Sequence, residues 1–334
     1  MPKTVRTKSE VVEAARAACT DEAKAVAFWE THRWGDCPAC IHCGSVDVYR
    51  MMQRGGVERE ARFRWRCRDC KRYFHVRTGT VMEGSNIPLR VWTMAFWMYC
   101  SSKKGFSALQ LSRMTGLCYK SALFLAHRVR YAMSDDPETP LFGTVEVDET
   151  YVGGKPRPAT RHEREKATSE GREIPKNKRG RGTKKVPVVA LVERGGRVVA
   201  SPMTTVNGAN LREAIRTYVH PRSMIITDSL REYRGIGEHF AGGHRTVNHT
   251  VDEYCRWDDD GVMVSSNYAE SFFAVVKRSM IGVHHAVSPR HLHRYVDERA
   301  WMFSNRALDD GERMALLVRL AEGKRLENRN SAAL

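Results

Sequence analysis

The sequence predicts a mixed α/β protein, and three observations carry that prediction. Runs rich in β-branched residues at 144–152, 186–192, 197–200 and 224–227 read as strands. Apolar residues at helical spacing mark helices at about 8–32, 88–132, 210–219, 267–280, 289–305 and 310–322. Strands and helices alternate only in the second half, as in layered α/β domains, whereas the first half is helical around a cysteine-rich segment. With 334 residues, 42% of them hydrophobic, the chain can bury one sizeable core and carry small accessory domains.

Taken in order, residues 1–36 form an N-terminal helical segment, with Ser9 as its cap and Val12, Ala15, Cys19, Ala23 and Val26 on one face. Residues 37–85 hold two C-x2-C knuckles, Cys40/Cys43 and Cys67/Cys70, with short alternating runs at 46–50 and 62–66. Two such knuckles brought together by a hairpin supply the four soft ligands of a tetrahedral Zn²⁺, which predicts one structural zinc ribbon. Cys37 makes an overlapping knuckle with Cys40 and could replace a partner, whereas Cys19, Cys100, Cys118 and Cys255 read as ordinary small core residues. The ribbon strands are basic, Arg64 and Arg66 among them, and are expected to face nucleic acid.

Residues 86–140 are helical, with a division at Thr115-Gly116 that suggests a helix-turn-helix. Tyr119 and Lys120 then open the second helix, where polar residues meet bases or phosphates, and Arg128 and Arg130 are further phosphate candidates. A plain helical hairpin packed on the core is the alternative. Residues 143–307 hold the strand–hairpin–helix–strand–helix region, and 308–334 a last helix and tail.

A net charge of +16 points to a polyanionic partner, most simply nucleic acid, although charge gives neither specificity nor chemistry. Residues 155–185 carry twelve Lys and Arg against four Glu, so +8 of that excess sits in one segment. Its polarity predicts a mobile loop that either binds phosphates regardless of sequence or simply solubilises the chain. The first ten residues lack a signal-peptide core, and the longest apolar run, 91–100, is too short to span a bilayer. The expectation is a cytoplasmic, nucleoid-associated protein without a membrane partner.

Three acids stand out. Asp148 lies within a β-branched strand, and Asp228 directly follows the apolar 225–227 run. Acids in such places need a partner or a metal, although each taken singly could be a turn or cap residue. Glu270 begins a helix, and Lys277 follows two turns later on the same face. Together the three acids could hold two divalent cations, Mg²⁺ or Mn²⁺, about 4 Å apart, while Lys277 and the adjacent Arg278 reach DNA phosphates. Glu149 either supports this site or faces the other side of its strand. His284, His285, His291 and His293 straddle a Ser-Pro helix start and read as packing or DNA contacts rather than a second metal site.

The zinc ribbon, the stretch Val147-Asp148-Glu149-Thr150-Tyr151-Val152-Gly153-Gly154-Lys155, Asp228, and Asn267-x-x-Glu270 with Lys277 resemble bacterial insertion-sequence transposases of the zinc-ribbon, DDE type. The 282–295 stretch and Asn305-Arg306 share the likeness, which runs from about 30 to 307. The resemblance implies an RNase H-like, retroviral-integrase-like catalytic core with a mixed sheet, preceded by the ribbon and the helix-turn-helix-like region. It implies metal-dependent cleavage and strand transfer on double-stranded DNA, at terminal inverted repeats and target DNA, by a homodimer or higher oligomer. Family members differ between Glu and Asn as the third catalytic residue, so Glu270 is the expectation and Asn267 the alternative; a carboxylate holds Mg²⁺ better than an amide. The competing functions are a catalytically decayed DNA-binding regulator and an RNase H-like nuclease or resolvase.

Overall fold

A computed structural model describes residues 10–134, 139–153, 159–173, 185–248, 251 and 253–327. The chain divides into two units, Met1–Asp136 with Asp297–Leu334, and Pro137–Val296.

The first unit opens with two helices, α1 (Glu10–Ala18) and α2 (Glu22–Trp34), where the sequence suggests one. Apolar spacing runs on across the break, but Asp21 adopts an extended conformation and its side chain accepts from Lys24 N at 2.8 Å, starting a new helix. The ribbon follows as an antiparallel sheet of β1 (Val48–Arg50), β2 (Trp65–Cys67) and β3 (Tyr73–Phe74). Its small core is Cys40, Trp65, Cys67 and Phe74. Trp34 on α2 packs edge-on against both Trp65 and Phe74, at 6.0 and 5.7 Å. The buried carboxylate of Glu30 accepts from Arg59 at 2.6 and 3.0 Å and from the Trp65 indole at 2.7 Å. The ribbon is therefore docked on α2 by aromatic edges and one satisfied buried acid.

Three helices follow: α3 (Leu89–Ser101), α4 (Ala108–Thr115) and α5 (Tyr119–Met133). Gly116, with φ +72°, ends α4 in the left-handed region that glycine adopts without strain, and so makes the tight α4–α5 turn. Helix α3 is buried along Leu89, Trp92, Phe96 and Tyr99 within the main core of this unit. The C-terminal helix, Asp310–Leu320, contributes Met314, Leu317 and Val318 to the same core.

The second unit is built on a five-stranded sheet of β4 (Thr144–Val152), β5 (Val186–Glu193), β6 (Val198–Pro202), β7 (Met224–Asp228) and β8 (His244–Val247). Between β4 and β5 lies α6 (Arg161–Ser169), and between β6 and β7 lies α7 (Gly208–Tyr218). The sheet order is β6-β5-β4-β7-β8, with β5 antiparallel to β4 and β6, and with β7 parallel to β4 and β8. Numbered within the unit this is 3-2-1-4-5 with the second strand reversed, the arrangement of an RNase H-like core. A hairpin of β9 (Cys255–Trp257) and β10 (Met263–Ser265) leads into α8 (Asn267–Ser279). The chain leaves the unit within α9 (Leu292–Ser304) and ends with α10 (Asp310–Leu320).

The basic 155–185 segment is not wholly a loop. Residues 161–169 are helix α6, started by a reciprocal capping box between Thr160 and Glu163. Residues 155–158 and 174–184 lie outside the described residues. Among the described residues no helix is long and apolar enough to cross a membrane.

Candidate active site

Asp148 and Asp228 are brought together by strand pairing. Strands β4 and β7 run parallel in the register Val147↔Thr227, and the two aspartates are the next residue on each strand. Asp228 closes β7, and its Oδ1 accepts from Leu230 N at 3.3 Å as the chain turns away. Asp148 Oδ1 accepts from the amide of Glu149 at 2.7 Å.

Glu270 comes from α8, which packs against β4. It lies on the exposed side of the helix and its Oε1 accepts from Ser266 Oγ at 3.2 Å. The buried face of α8 is Ala269, Phe272, Phe273 and Val276; Val275, which helical spacing assigns to that face, is half-buried. Asn267 is the first residue of the helix, and Lys277 and Arg278 are exposed near its end. Burial, together with the negative charges of Glu149, Asp228 and Glu270, pushes Asp148 up from 3.8 to about 7. Glu270 is thus close enough for its charge to bear on Asp148.

Glu149 faces the other way along the strand, and its Oε2 accepts from the Tyr233 hydroxyl at 2.9 Å. The tyrosine is fully buried, and burial plus that carboxylate hold its phenol well above its ordinary range.

Two residues of this region escape the sequence reading. Glu146, two positions before Asp148 and on the same face of β4, is fully buried. Its Oε2 accepts from Tyr268 N at 2.8 Å and Ala269 N at 3.1 Å, both in the first turn of α8. Its Oε1 accepts from Arg194 Nε at 2.8 Å. Arg194 also donates to Met263 O at 2.6 Å, Ser265 O at 3.1 Å and Ser265 Oγ at 3.0 Å. In sequence Glu146 alternates with Val145 and Val147, the pattern of a solvent-facing acid, and only α8 and Arg194 on that face bury it.

The carboxylate set suits hard cations: Asp228 and Glu270 lie within electrostatic reach of Asp148, an aspartate whose ionisation burial and like charges oppose, and a divalent cation would offset that opposition. Among the described residues the four thiols of Cys40, Cys43, Cys67 and Cys70 alone bring three or more ligand atoms within 4.8 Å of one another. The carboxylates are more widely spaced, and a pair of ions about 4 Å apart would tolerate that.

The thiols fit zinc closely. Cys40 and Cys70 sulfurs are 3.6 Å apart and Cys43 and Cys67 sulfurs 3.7 Å apart. A tetrahedron with Zn–S bonds of about 2.3 Å has edges of about 3.8 Å. Cys37 is exposed and outside this group, so the Cys40/Cys43 knuckle supplies the ligands.

The residues expected to meet DNA divide. Tyr119 and Lys120 are exposed at the start of α5. Arg64 and Arg66 both lie over the Tyr73 ring, at 4.8 and 5.2 Å from its centre, but Arg64 is already paired with Glu60 at 2.5 and 2.7 Å. Arg128 is not available to a phosphate. It is buried, lies over Phe124 and donates to Leu326 O at 3.1 Å, and burial lowers its pKa. Arg130 is likewise buried and bound to Glu298 at 2.7 Å. Both arginines are structural because α5 turns that face inward. His284 packs edge-on against Tyr295 at 4.7 Å, and His285 takes φ +60° where α8 ends in a single π turn, Met280–His284.

Residues 140–304 match the ISXO2-like transposase domain, and residues 20–73 the transposase zinc-ribbon domain. The chain is 31% identical over 278 residues to an uncharacterized protein in transposable element ISH50 of Halobacterium salinarum, covering 79% of this chain and 84% of that protein. Among solved structures, a pre-cleavage Mos1 transpososome aligns over 66% of this chain and 75% of that chain, at 12% identity and a TM-score of 0.21. That superposition is too loose to bear on the fold, whereas the two domain matches fall on the ribbon and on the sheet that pairs Asp148 with Asp228. From that agreement, and from a transposable-element relative aligned over most of both chains, it follows that the chain belongs to the ISXO2-like transposase family.

Proposed function

We propose that the protein binds the ends of a mobile element and cuts and joins DNA with Asp148, Asp228 and Glu270 as ligands of two Mg²⁺ or Mn²⁺ ions. One observation carries the reading: parallel pairing of β4 with β7 sets two aspartates side by side, within electrostatic reach of a glutamate on α8. When bound, the cations would supply an activated attacking hydroxyl and neutralise charge on the leaving oxygen. The chain's own part is geometric. The sheet fixes the two aspartates, α8 presents Glu270, and Lys277, two turns along the same exposed face, would hold a DNA phosphate and keep the scissile bond in line.

Zinc on Cys40, Cys43, Cys67 and Cys70 would close the ribbon, whose half-buried Arg66 and exposed Tyr73 offer a charged, stacking surface to DNA. Tyr119 and Lys120 would contact DNA from α5. Handling two element ends calls for at least two copies of the chain, and the work would take place in the cytoplasm, at the nucleoid.

The test is cleavage and end-joining on a duplex carrying the element's terminal repeats, with Mg²⁺ or Mn²⁺. Asp148→Ala and Asp228→Ala should each abolish both reactions while retaining DNA binding in a gel-shift assay. Cleavage by either variant would refute the assignment; hydrolysis without joining would identify a nuclease instead.

A further inference from the structure

We propose that Glu146 and Arg194 are positioning residues that set the start of α8 against β4 and thereby hold Glu270 in ligand geometry. The inference rests on reading Glu270 as the third metal ligand.

The argument begins with cost. A fully buried carboxylate and a guanidinium only 18% exposed lose most of their hydration, and such a pair contributes little net stability over an apolar replacement. What the pair does achieve is directional. Glu146 Oε2 binds two amides, Tyr268 N and Ala269 N, which belong to the first turn of α8 and have no partner within the helix. A side chain from the central strand therefore caps this helix, and Ser266 at its own N-cap position makes no capping bond. Arg194 occupies the other oxygen and reaches Met263 and Ser265 in β10, the strand that delivers the chain to α8. Arg194 N also donates to Thr144 O at 3.0 Å, so the arginine is itself anchored to β4.

The consequence for the site follows from register. Glu146 and Asp148 are two apart on one face of β4, and Glu270 lies one and two residues beyond the capped amides. A single carboxylate thus references Glu270 to Asp148. Each residue of slippage moves a helix by about 1.5 Å and turns it by about 100°. Metal ligands tolerate about 0.5 Å of misplacement, so an uncapped α8 would lose the ligand geometry before it lost its packing on the core.

The test measures Mn²⁺ binding to the full-length, zinc-loaded protein from loss of the free Mn²⁺ paramagnetic resonance signal, with thermal melting in parallel. Glu146→Gln keeps the side-chain shape but cannot accept on both oxygens. Arg194→Lys keeps the charge but cannot span its acceptors. Each should weaken Mn²⁺ binding about tenfold, as loss of a ligand-orienting partner does. In a Glu270→Gln background the same substitutions should weaken it no further, because the residue they position is gone. Should Glu146→Gln not fold, Arg194→Lys alone makes the comparison.

If both variants bind Mn²⁺ as the parent does while Glu270→Gln binds it weakly, the positioning role is wrong and the ligand assignment stands. A lowered melting temperature with unchanged Mn²⁺ affinity is the mark of a merely structural pair and has the same meaning. Weakening that persists undiminished beside Glu270→Gln also overturns the proposal. If Glu270→Gln alone leaves Mn²⁺ binding unchanged, the ligand assignment itself fails.

Discussion

Replacing Asp148 with asparagine should stabilise the protein at pH 8 when no divalent cation other than zinc is present. Burial and the neighbouring Glu149, Asp228 and Glu270 raise the Asp148 carboxyl from 3.8 to about 7. Below about pH 4 the group is protonated in folded and unfolded chains alike and costs nothing. Between pH 4 and 7 the unfolded chain ionises first, so folding stability falls as pH rises; above pH 7 the full penalty is present. A rise of this size corresponds to about 4 kcal/mol, and water at the partly open side chain reduces it to roughly 2–4 kcal/mol. Asparagine removes the charge, and its amide oxygen can still accept the Glu149 amide that Asp148 accepts at 2.7 Å. Urea unfolding at pH 4, 6 and 8 reads the difference directly. The variant should gain on the parent as pH rises, and millimolar Mn²⁺ should reverse the order by stabilising the parent alone. Equal stability at pH 8 without Mn²⁺, or a less stable variant, would refute the reasoning.

Cys67→Ser should release the zinc and unfold the ribbon, read as a fall from one zinc per chain to none; retention of one zinc would contradict the Cys40, Cys43, Cys67, Cys70 assignment. Lys277→Ala should lower the slope of log K for DNA against log salt by about one, whereas Arg128→Ala should leave that slope unchanged while lowering stability. Glu298 is fully buried between Arg130 and Arg299, so Glu298→Gln should cost about 3–5 kcal/mol in chemical denaturation; a cost under about 1 kcal/mol would show that the arginines find other partners.

The site was legible where chemistry and pattern coincide. An acid within or at the end of a β-branched run announces itself, and the paired C-x2-C spacing implies its ligand set. Strands β4, β5, β6 and β7 are readable for a related reason, since each falls on a run rich in β-branched residues. What escaped depends on tertiary partners. Strand β8, His244–Val247, is four residues with no apolar alternation, and its pairing with β7 makes it a strand. The break between α1 and α2 hides inside continuous apolar spacing because one side chain, Asp21, decides it. Arg128 and Arg130 look like phosphate ligands in sequence, and only the inward turn of α5 and partners such as Glu298, far along the chain, make them internal. Glu146 looks like a surface acid in sequence, and only its contacts with α8 and Arg194 make it an internal one.

The most direct measurement is anomalous scattering from crystals grown with Mn²⁺. The account predicts two manganese peaks about 4 Å apart at the β4–β7 junction, bound by carboxylate oxygens of Asp148, Asp228 and Glu270. Manganese bound elsewhere, or at that junction without either aspartate, would contradict it.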